Sequence, residues 1–218
     1  MKIGIVGAGN MGAALARLWV LAGHEVRLSF SRDWARLTAI ADALGERASI
    51  AAPADAVAFD DVVLFAVPLG ALGEALDAMG AAASGKVVVT TVSPYAADFS
   101  GERTTMTSLI GNISAAEHIS ALIPDAFVVE AFNLTFADML ALDPPFAKES
   151  RSVPICGDRD AAKAVVARLA VDAGLEPFDA GPLRSARAIE QMATAWVQLA
   201  AVSGAFPAAA LKITKGIS

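Results

Sequence analysis

The sequence predicts an α/β protein: a doubly wound parallel sheet with helices on both faces, followed by a small C-terminal α/β domain. Three observations carry that expectation. Strand-like and helix-like segments alternate from the first residues, the strand segments are nearly all apolar, and a glycine-rich turn joins the first strand to the first helix. Alternation implies parallel strands with helical crossovers, and continuous apolar strands imply burial on both faces.

Taken in order, Ile3 to Val6 is a short buried strand, and Met11 to Ala22 an apolar helix stopped by Gly23, a natural residue just past a helix end. Glu25 to Phe30 reads as the second strand and Trp34 to Leu44 as a helix ending at Gly45. Val62 to Val67 is a third strand terminated by Pro68, before a helix over Leu69 to Met79. Lys86 to Val92 supplies a fourth strand ending at Ser93-Pro94, Ala115 to Ile123 a helix, and Phe127 to Ala131 a fifth strand. From Phe136 to Arg151 periodicity is lost and Pro144-Pro145 intervenes, which places a boundary between domains 1–143 and 144–218. Beyond it come a strand (Val153 to Cys156), a helix (Ala161 to Ala173), a strand (Glu176 to Asp179) and a long apolar helix from Ser185 to about Val202.

Composition narrows the class. Of 218 residues, 56% are hydrophobic and 18% charged, which excludes a disordered chain. A net charge of −6 leaves no basic surplus for phosphate backbones, so no nucleic-acid partner is expected. The single cysteine, Cys156, excludes an internal disulfide and fits a reducing compartment. Lys2 and the apolar run after it resemble a signal peptide, but glycines at turn-like spacing (Gly4, Gly7, Gly9, Gly12) interrupt that run. The apolar stretch Ala195 to Leu211 is broken by Gln198, Ser203, Gly204 and Pro207 and makes a poor membrane span. A cytoplasmic protein without a membrane partner is expected.

The chemistry concentrates in Gly7-Ala8-Gly9-Asn10-Met11-Gly12. In a Rossmann βαβ unit such a turn needs Gly7 for its tightness, Gly9 for close approach of a pyrophosphate, and Gly12 for close helix–strand packing. The N–H groups and positive dipole end of the following helix then hold the diphosphate. Placed between a strand and a helix, the motif predicts dinucleotide binding. Which dinucleotide depends on the tip of the second strand, which reads Ser29-Phe30-Ser31-Arg32-Asp33-Trp34-Ala35-Arg36. An NAD site places a carboxylate there for the ribose 2′-hydroxyl, whereas Ser31, Arg32 and Arg36 supply a donor and two cations for a 2′-phosphate. NADP(H) is therefore expected, with Asp33 as the discordant residue. Ligands of open α/β sheets lie at the carboxyl ends of the strands, which adds Ala66, Val67, Pro68, Ser93, Pro94, Ala131 and Asn133 as cofactor-site candidates. The prolines there serve equally well as strand terminators.

The segments IGIVGAGNMGAALARLWVLAGHEV, Ser31-Arg32 with Arg36 beyond, and SAAEHISALIPDAFVVEAFN resemble the F420-dependent NADP oxidoreductase family. So does the late block PICGDRDAAKAVVARLAVDAGLEPFDAGPLRSARAIEQMATAW. The chain is similar as well to the NADPH domain of the STEAP metalloreductases. The resemblance implies that Ser31, Arg32 and Arg36 hold the 2′-phosphate and that the C-terminal domain closes a cleft over the nicotinamide. It implies hydride transfer between NADP(H) and F420, a flavin or another small redox acceptor, without fixing which.

Other candidates carry less. His24 stands in a turn where a cation at a helix C-terminus is sufficient explanation, and His118 sits mid-helix beside Glu117. Cys156 is read as a buried, inert thiol, and two distant histidines and one cysteine make no metal site. Ser185 is a candidate N-cap, and Glu190 and Gln191 face either the cleft or a partner chain. No catalytic acid or base is singled out. Direct hydride transfer to a flavin-like ring needs proximity more than proton shuttling, and Tyr95 is the one exception kept open. Two rivals remain: an imine or carbonyl reductase similar to pyrroline-5-carboxylate reductase, and a non-catalytic NADPH sensor. A homodimer is expected from the apolar last segment with Trp196, Val197, Leu199 and Phe206, although a core role fits those residues equally.

Overall fold

Eight strands lie side by side in the order β3-β2-β1-β4-β5-β6-β7-β8. The computed structural model describes residues 1–30, 32–59, 62–92, 112–141 and 151–214. Along the chain these form β1 (Lys2–Val6), α1 (Asn10–Leu21), β2 (Glu25–Ser29), α2 (Trp34–Leu44), β3 (Ala48–Ile50), α3 (Pro53–Ala58), β4 (Val62–Phe65) and α4 (Leu72–Met79). Then come β5 (Val87–Thr90), α5 (Ala115–Leu122), β6 (Phe127–Glu130), α6 (Ala137–Leu140), β7 (Ser152–Gly157), α7 (Asp160–Asp172), β8 (Glu176–Asp179) and α8 (Ala186–Val202). Strands β1 to β6 are parallel, and only the β6–β7 pairing is antiparallel. The fold is the Rossmann-type α/β architecture.

Strand alternation divides the apolar residues between two faces, as the two-residue period of a strand requires. Ile3, Ile5, Leu64, Val89, Val129 and Ile155 point to one core with Leu15 and Trp19 of α1 and Leu169 of α7. Val6, Phe65, Val88, Val128 and Cys156 point to the other, with Met79 of α4, Ile119 of α5 and Ile189 of α8. Both faces being covered explains why the strands read as unbroken apolar runs.

Several elements differ from expectation, among them α6, which forms at Ala137–Leu140 where the sequence shows no periodicity. Residues Leu69–Ala71 form a 3₁₀ turn, so α4 begins only at Leu72. Strand β3 is three residues long and α3 six, both too short to show a period, although Pro53 marks the first turn of α3 in the usual way. Gly4 is not a turn residue. It lies within β1 facing α3, where a Cβ would stand 2.1 Å from the Ala56 carbonyl oxygen.

The boundary expected at 143/144 falls in residues 142–150, outside those described. The C-terminal α/β unit does not stand apart from the N-terminal one. β7 joins the edge of β6 through Val129–Gly157 and Glu130–Cys156, and β8 continues the sheet. The indole Nε1 of fully buried Trp19 in α1 donates to the Leu169 carbonyl of α7 at 2.9 Å. His24, after α1, lies 3.0 Å from Asp172 at the end of α7. The second α/β unit is thus built into the Rossmann sheet, because α7 and α1 share one apolar core.

The α3–β1 contact predicts a sharp contrast between two substitutions. Gly4→Ala should lower unfolding stability by about 1–3 kcal/mol through overpacking. Gly70→Ala, where a Cβ meets nothing within 4 Å, should change it by less than ~0.5 kcal/mol in the same denaturant titration.

Candidate functional site: a dinucleotide cradle at the start of α1

The glycine turn is held by backbone contacts on every side but one. Gly7 has φ +103°, and a Cβ on it would stand 2.4 Å from the Ala66 carbonyl oxygen of the neighbouring strand end. A Cβ on Gly12 would stand 2.1 Å from the Gly7 carbonyl oxygen, so α1 presses directly on the turn. At Gly9 a Cβ would meet nothing within 4 Å. That side is open to a ligand. Gly9 is the N-cap of α1, no side chain caps the helix, and its first turn holds no acidic residue. The first N–H groups of a helix have no partner within it, and they carry its positive dipole end. An exposed, uncapped N-terminus beneath a bare glycine fits a diphosphate.

At the tip of β2 the charges sort themselves. Asp33 is the N-cap of α2 and accepts the Arg36 backbone N–H at 2.9 Å. Its carboxylate is thereby used on the helix, which accounts for the one discordant residue of the expected NADP site. The Arg36 guanidinium reaches across to donate to Asn10 Oδ1 at 2.8 Å, bringing a cation beside the first residue of α1. Arg32 is exposed on the same connection, and Ser31 lies outside the described residues. Beside α1 a cavity of about 380 Å³ is lined by Asn10, Arg17, Arg36 and Asp138, among others. Phe30 holds φ +56° just after β2, a left-handed conformation that costs a bulky residue energy.

The carboxyl ends of β1, β4, β5 and β6 fall on one edge because these strands are parallel and in register. Ala66 is half-buried there, Val67 buried and Pro68 exposed. Met11 is half-buried over the core. Ala131 is fully buried and its side chain offers nothing to a ligand. Ser93, Pro94 and Tyr95 lie outside the described residues. Asn133 stands on this edge, after Phe132, which takes φ +67° and packs edge-on against Trp19 at 6.1 Å. The strained backbone at Phe132 turns the chain so that Asn133 faces back to the end of β6, its Nδ2 donating to Glu130 Oε1 at 2.6 Å.

Sequence patterning passes over the residues behind that edge. Ser114 and Glu117 form a capping box on α5, and the Arg187 guanidinium beside Glu117 holds its carboxyl down to about 2. The signal for that box is legible as Ser-Ala-Ala-Glu. Glu190 does not face outward: its two oxygens accept the Ala115 and Ala116 N–H groups at 3.0 and 3.1 Å. Gln191 is exposed. Glu130, at the end of an apolar strand, carries no sequence signal at all. Cys156 is buried, and desolvation pushes its thiol up, as an inert core cysteine requires. Burial, ahead of the neighbouring charges, lowers His24, so it is a buried partner of Asp172 rather than a helix-end cation. His118 is half-buried on α5, and Ser185 precedes α8 without a side-chain cap. Among the described residues no group of three His, Cys, Asp or Glu could hold a metal.

Comparison with known proteins bears on this site. The family model of coenzyme F420-dependent NADP oxidoreductases matches residues 2–94, which hold the whole cradle. A candidate F420-dependent NADP-reductase of solved structure from Arthrobacter sp. FB24 is 30% identical. The match covers 99% of this chain and 100% of that one, with a TM-score of 0.83. The chain belongs to the F420-dependent NADP oxidoreductase family. A hypothetical protein of Sinorhizobium meliloti is 31% identical, the match covering 85% of this chain and 86% of that one at a TM-score of 0.72. Metalloreductase STEAP3 of Rattus norvegicus is 31% identical over 87% of this chain but only 36% of its own length. The chain thus spans about a third of that curated relative. Family membership makes the protein an NADP-dependent oxidoreductase.

Open space at Gly9 separates binding from folding. Gly9→Ala should leave the unfolding free energy within the ordinary spread of surface substitutions, ~0.5 kcal/mol. The same methyl group should weaken NADPH binding at least about tenfold by calorimetric titration, since it occupies the pyrophosphate approach.

Proposed function

We propose that the protein transfers hydride between NADP(H) and a small redox acceptor of the deazaflavin or flavin type. The observation that carries the cofactor half is the placement of charge at the β2 tip. Asp33 is turned onto the α2 backbone, while Arg36 is anchored beside the uncapped start of α1. In this proposal NADPH lies along Gly7–Gly12 with its 2′-phosphate on Ser31, Arg32 and Arg36. Its nicotinamide stands near Ala66, Val67, Pro68 and Asn133, with Ser93 and Pro94 along the same edge. When bound, NADPH would supply a hydride from C4 of its ring to the acceptor and become NADP⁺. The protein's own part is positioning and exclusion of water, in keeping with a sequence that singles out no dedicated acid or base.

A cytoplasmic location is part of the proposal, and it rests on the lone cysteine, Cys156, buried as a free thiol. Among the described residues no helix is long and apolar enough to cross a membrane. A homodimer belongs to the proposal as well. Trp196 is taken up inside the chain, stacked on Phe136 at 6.1 Å, but Leu199 and Val202 of α8 are exposed at 64% and 76%. These two favour burial against a second copy. Light scattering behind size exclusion should return twice the chain mass, and the mass of one chain would refute the dimer.

Binding of NADPH and NADH to the wild type and to Arg32→Ala tests the cofactor assignment. The wild type should prefer NADPH, and the substitution should cost that preference about tenfold or more by removing a charge-assisted phosphate contact. Equal affinity for both cofactors would overturn the 2′-phosphate assignment. An acceptor panel of F420, FMN, ferric chelates and small imines then distinguishes the proposed reaction from an imine reductase. Failure to oxidise NADPH with any of them would favour a sensor.

A further inference from the structure

Two acids in the interior have no part in the dinucleotide cradle. Glu130 closes β6, fully buried in a row that runs across the sheet from Val6 through Phe65 and Thr90 to Glu130 and Cys156. Glu190 projects from α8 into the same layer and is 1% exposed. Their carboxyl groups interact directly. Burial drives both upward from the ordinary carboxylate range, and the charge of Glu190 raises Glu130 further. Like charges in contact in a dry interior do not both ionise; such a pair keeps one proton.

Hydrogen-bond geometry says where the proton sits. Glu190 receives two backbone N–H groups at the first turn of α5, a positive helix end. It is the ionised member. Glu130 Oε1 accepts from Asn133 Nδ2, whereas Glu130 Oε2 is buried and has no donor aimed at it. A proton on Oε2, given to Glu190, would satisfy that oxygen. The same contact settles the Asn133 amide. With Nδ2 committed to Glu130, Oδ1 is left buried without a partner at the carboxyl edge of the sheet.

We propose that Glu130 and Glu190 hold a single proton, carried on Glu130 Oε2, and that this pair is the positioning element presenting Asn133 Oδ1 as an acceptor. What it would accept is the carboxamide N–H of the nicotinamide or an N–H or O–H of the second substrate. This role for Asn133 rests on the proposed cofactor placement; the shared proton does not. Of the other ionisable groups facing the pair, Glu117 and Arg187 neutralise each other. The Cys156 thiol is pushed up and neutral, and Asp158 accepts the Leu183 N–H at 2.9 Å. β5 contributes the Thr90 hydroxyl, which does not titrate.

Linkage sets the sign of the pH dependence. A carboxyl whose folded pKa is raised binds more protons folded than unfolded, so it lowers stability as pH rises from 4.5 toward the raised value. Glu130→Gln is isosteric: its carbonyl still accepts from Asn133 and its N–H₂ replaces the shared proton. Thermal stability of the cofactor-free chain from pH 5 to 8 should therefore fall with pH more steeply in the wild type than in Glu130→Gln. Identical pH slopes would overturn the shared proton. Glu130→Gln should bind NADPH within about twofold of the wild type, while Glu130→Ala, which frees Asn133, should lose about tenfold or more. Recovery by Gln of what Ala loses marks positioning. Equal binding by all three overturns the role of the pair at the site while leaving the proton test standing. Should Glu130→Ala not fold, Asn133→Ala replaces it, with the same loss expected and unchanged binding again contradicting the role. A wild type that binds no NADPH refutes the cofactor assignment and with it the role given to Asn133, whereas the pH slopes still decide the proton.

Discussion

Close contact between α1 and the turn after β1 governs the rest of the molecule. A methyl group at Gly12 would stand 2.1 Å from the Gly7 carbonyl, so the helix approaches the turn as closely as backbone allows. That approach aims the uncapped helix end at the carboxyl edge of the sheet, and it sets the depth of Trp19. Fully buried, Trp19 then reaches Leu169 in α7 and Phe132 beyond β6. One helix thus registers both the first and the last thirds of the chain. An exposed glycine at the cradle and a buried indole further along α1 are consequences of the same close contact.

Around that frame, charge is used where it is satisfied. Asp33 caps α2, Glu117 caps α5 and pairs with Arg187, and Glu190 receives two N–H groups of α5. Each of these carboxylates is engaged at the start of a helix, and Arg36, bridged to Asn10, is brought beside the cradle. Among the described residues, the left-handed non-glycine positions Phe30 and Phe132 stand just after β2 and β6, at the edge where a dinucleotide would lie. Strain of that kind persists only where the surrounding packing over-determines it, and both phenyl rings pack against the apolar cores.

Much of this is legible in the sequence, for identifiable reasons. Strands buried on both faces read as apolar runs, and the glycine turn between Val6 and Asn10 carries its own geometry. α2 and β8 have the bounds their composition predicts, at Trp34–Leu44 and Glu176–Asp179. Short elements such as β3 and α3 are not legible, because three to six residues hold no period. Pro144-Pro145 looks like punctuation and makes the late segment read as a separate unit. That Trp19 ties this segment to α1 is a contact across 150 residues, invisible to local pattern. Glu130 escapes notice for a related reason. One acid after three apolar residues signals a strand end, and only the approach of α8 reveals it as a buried partner of Glu190.

A dinucleotide on the uncapped start of α1, with its 2′-phosphate toward Arg32 and Arg36, is the placement we propose, and it would give these features a common purpose. Backbone amide shifts on titration with NADP⁺ decide whether it lies there. The largest changes should fall on Gly9, Asn10, Met11 and Gly12, with Arg32 and Arg36 responding to NADP⁺ and much less to NAD⁺. Shifts that avoid the Gly7–Gly12 turn, or that are the same for both nucleotides at Arg32 and Arg36, would refute that placement.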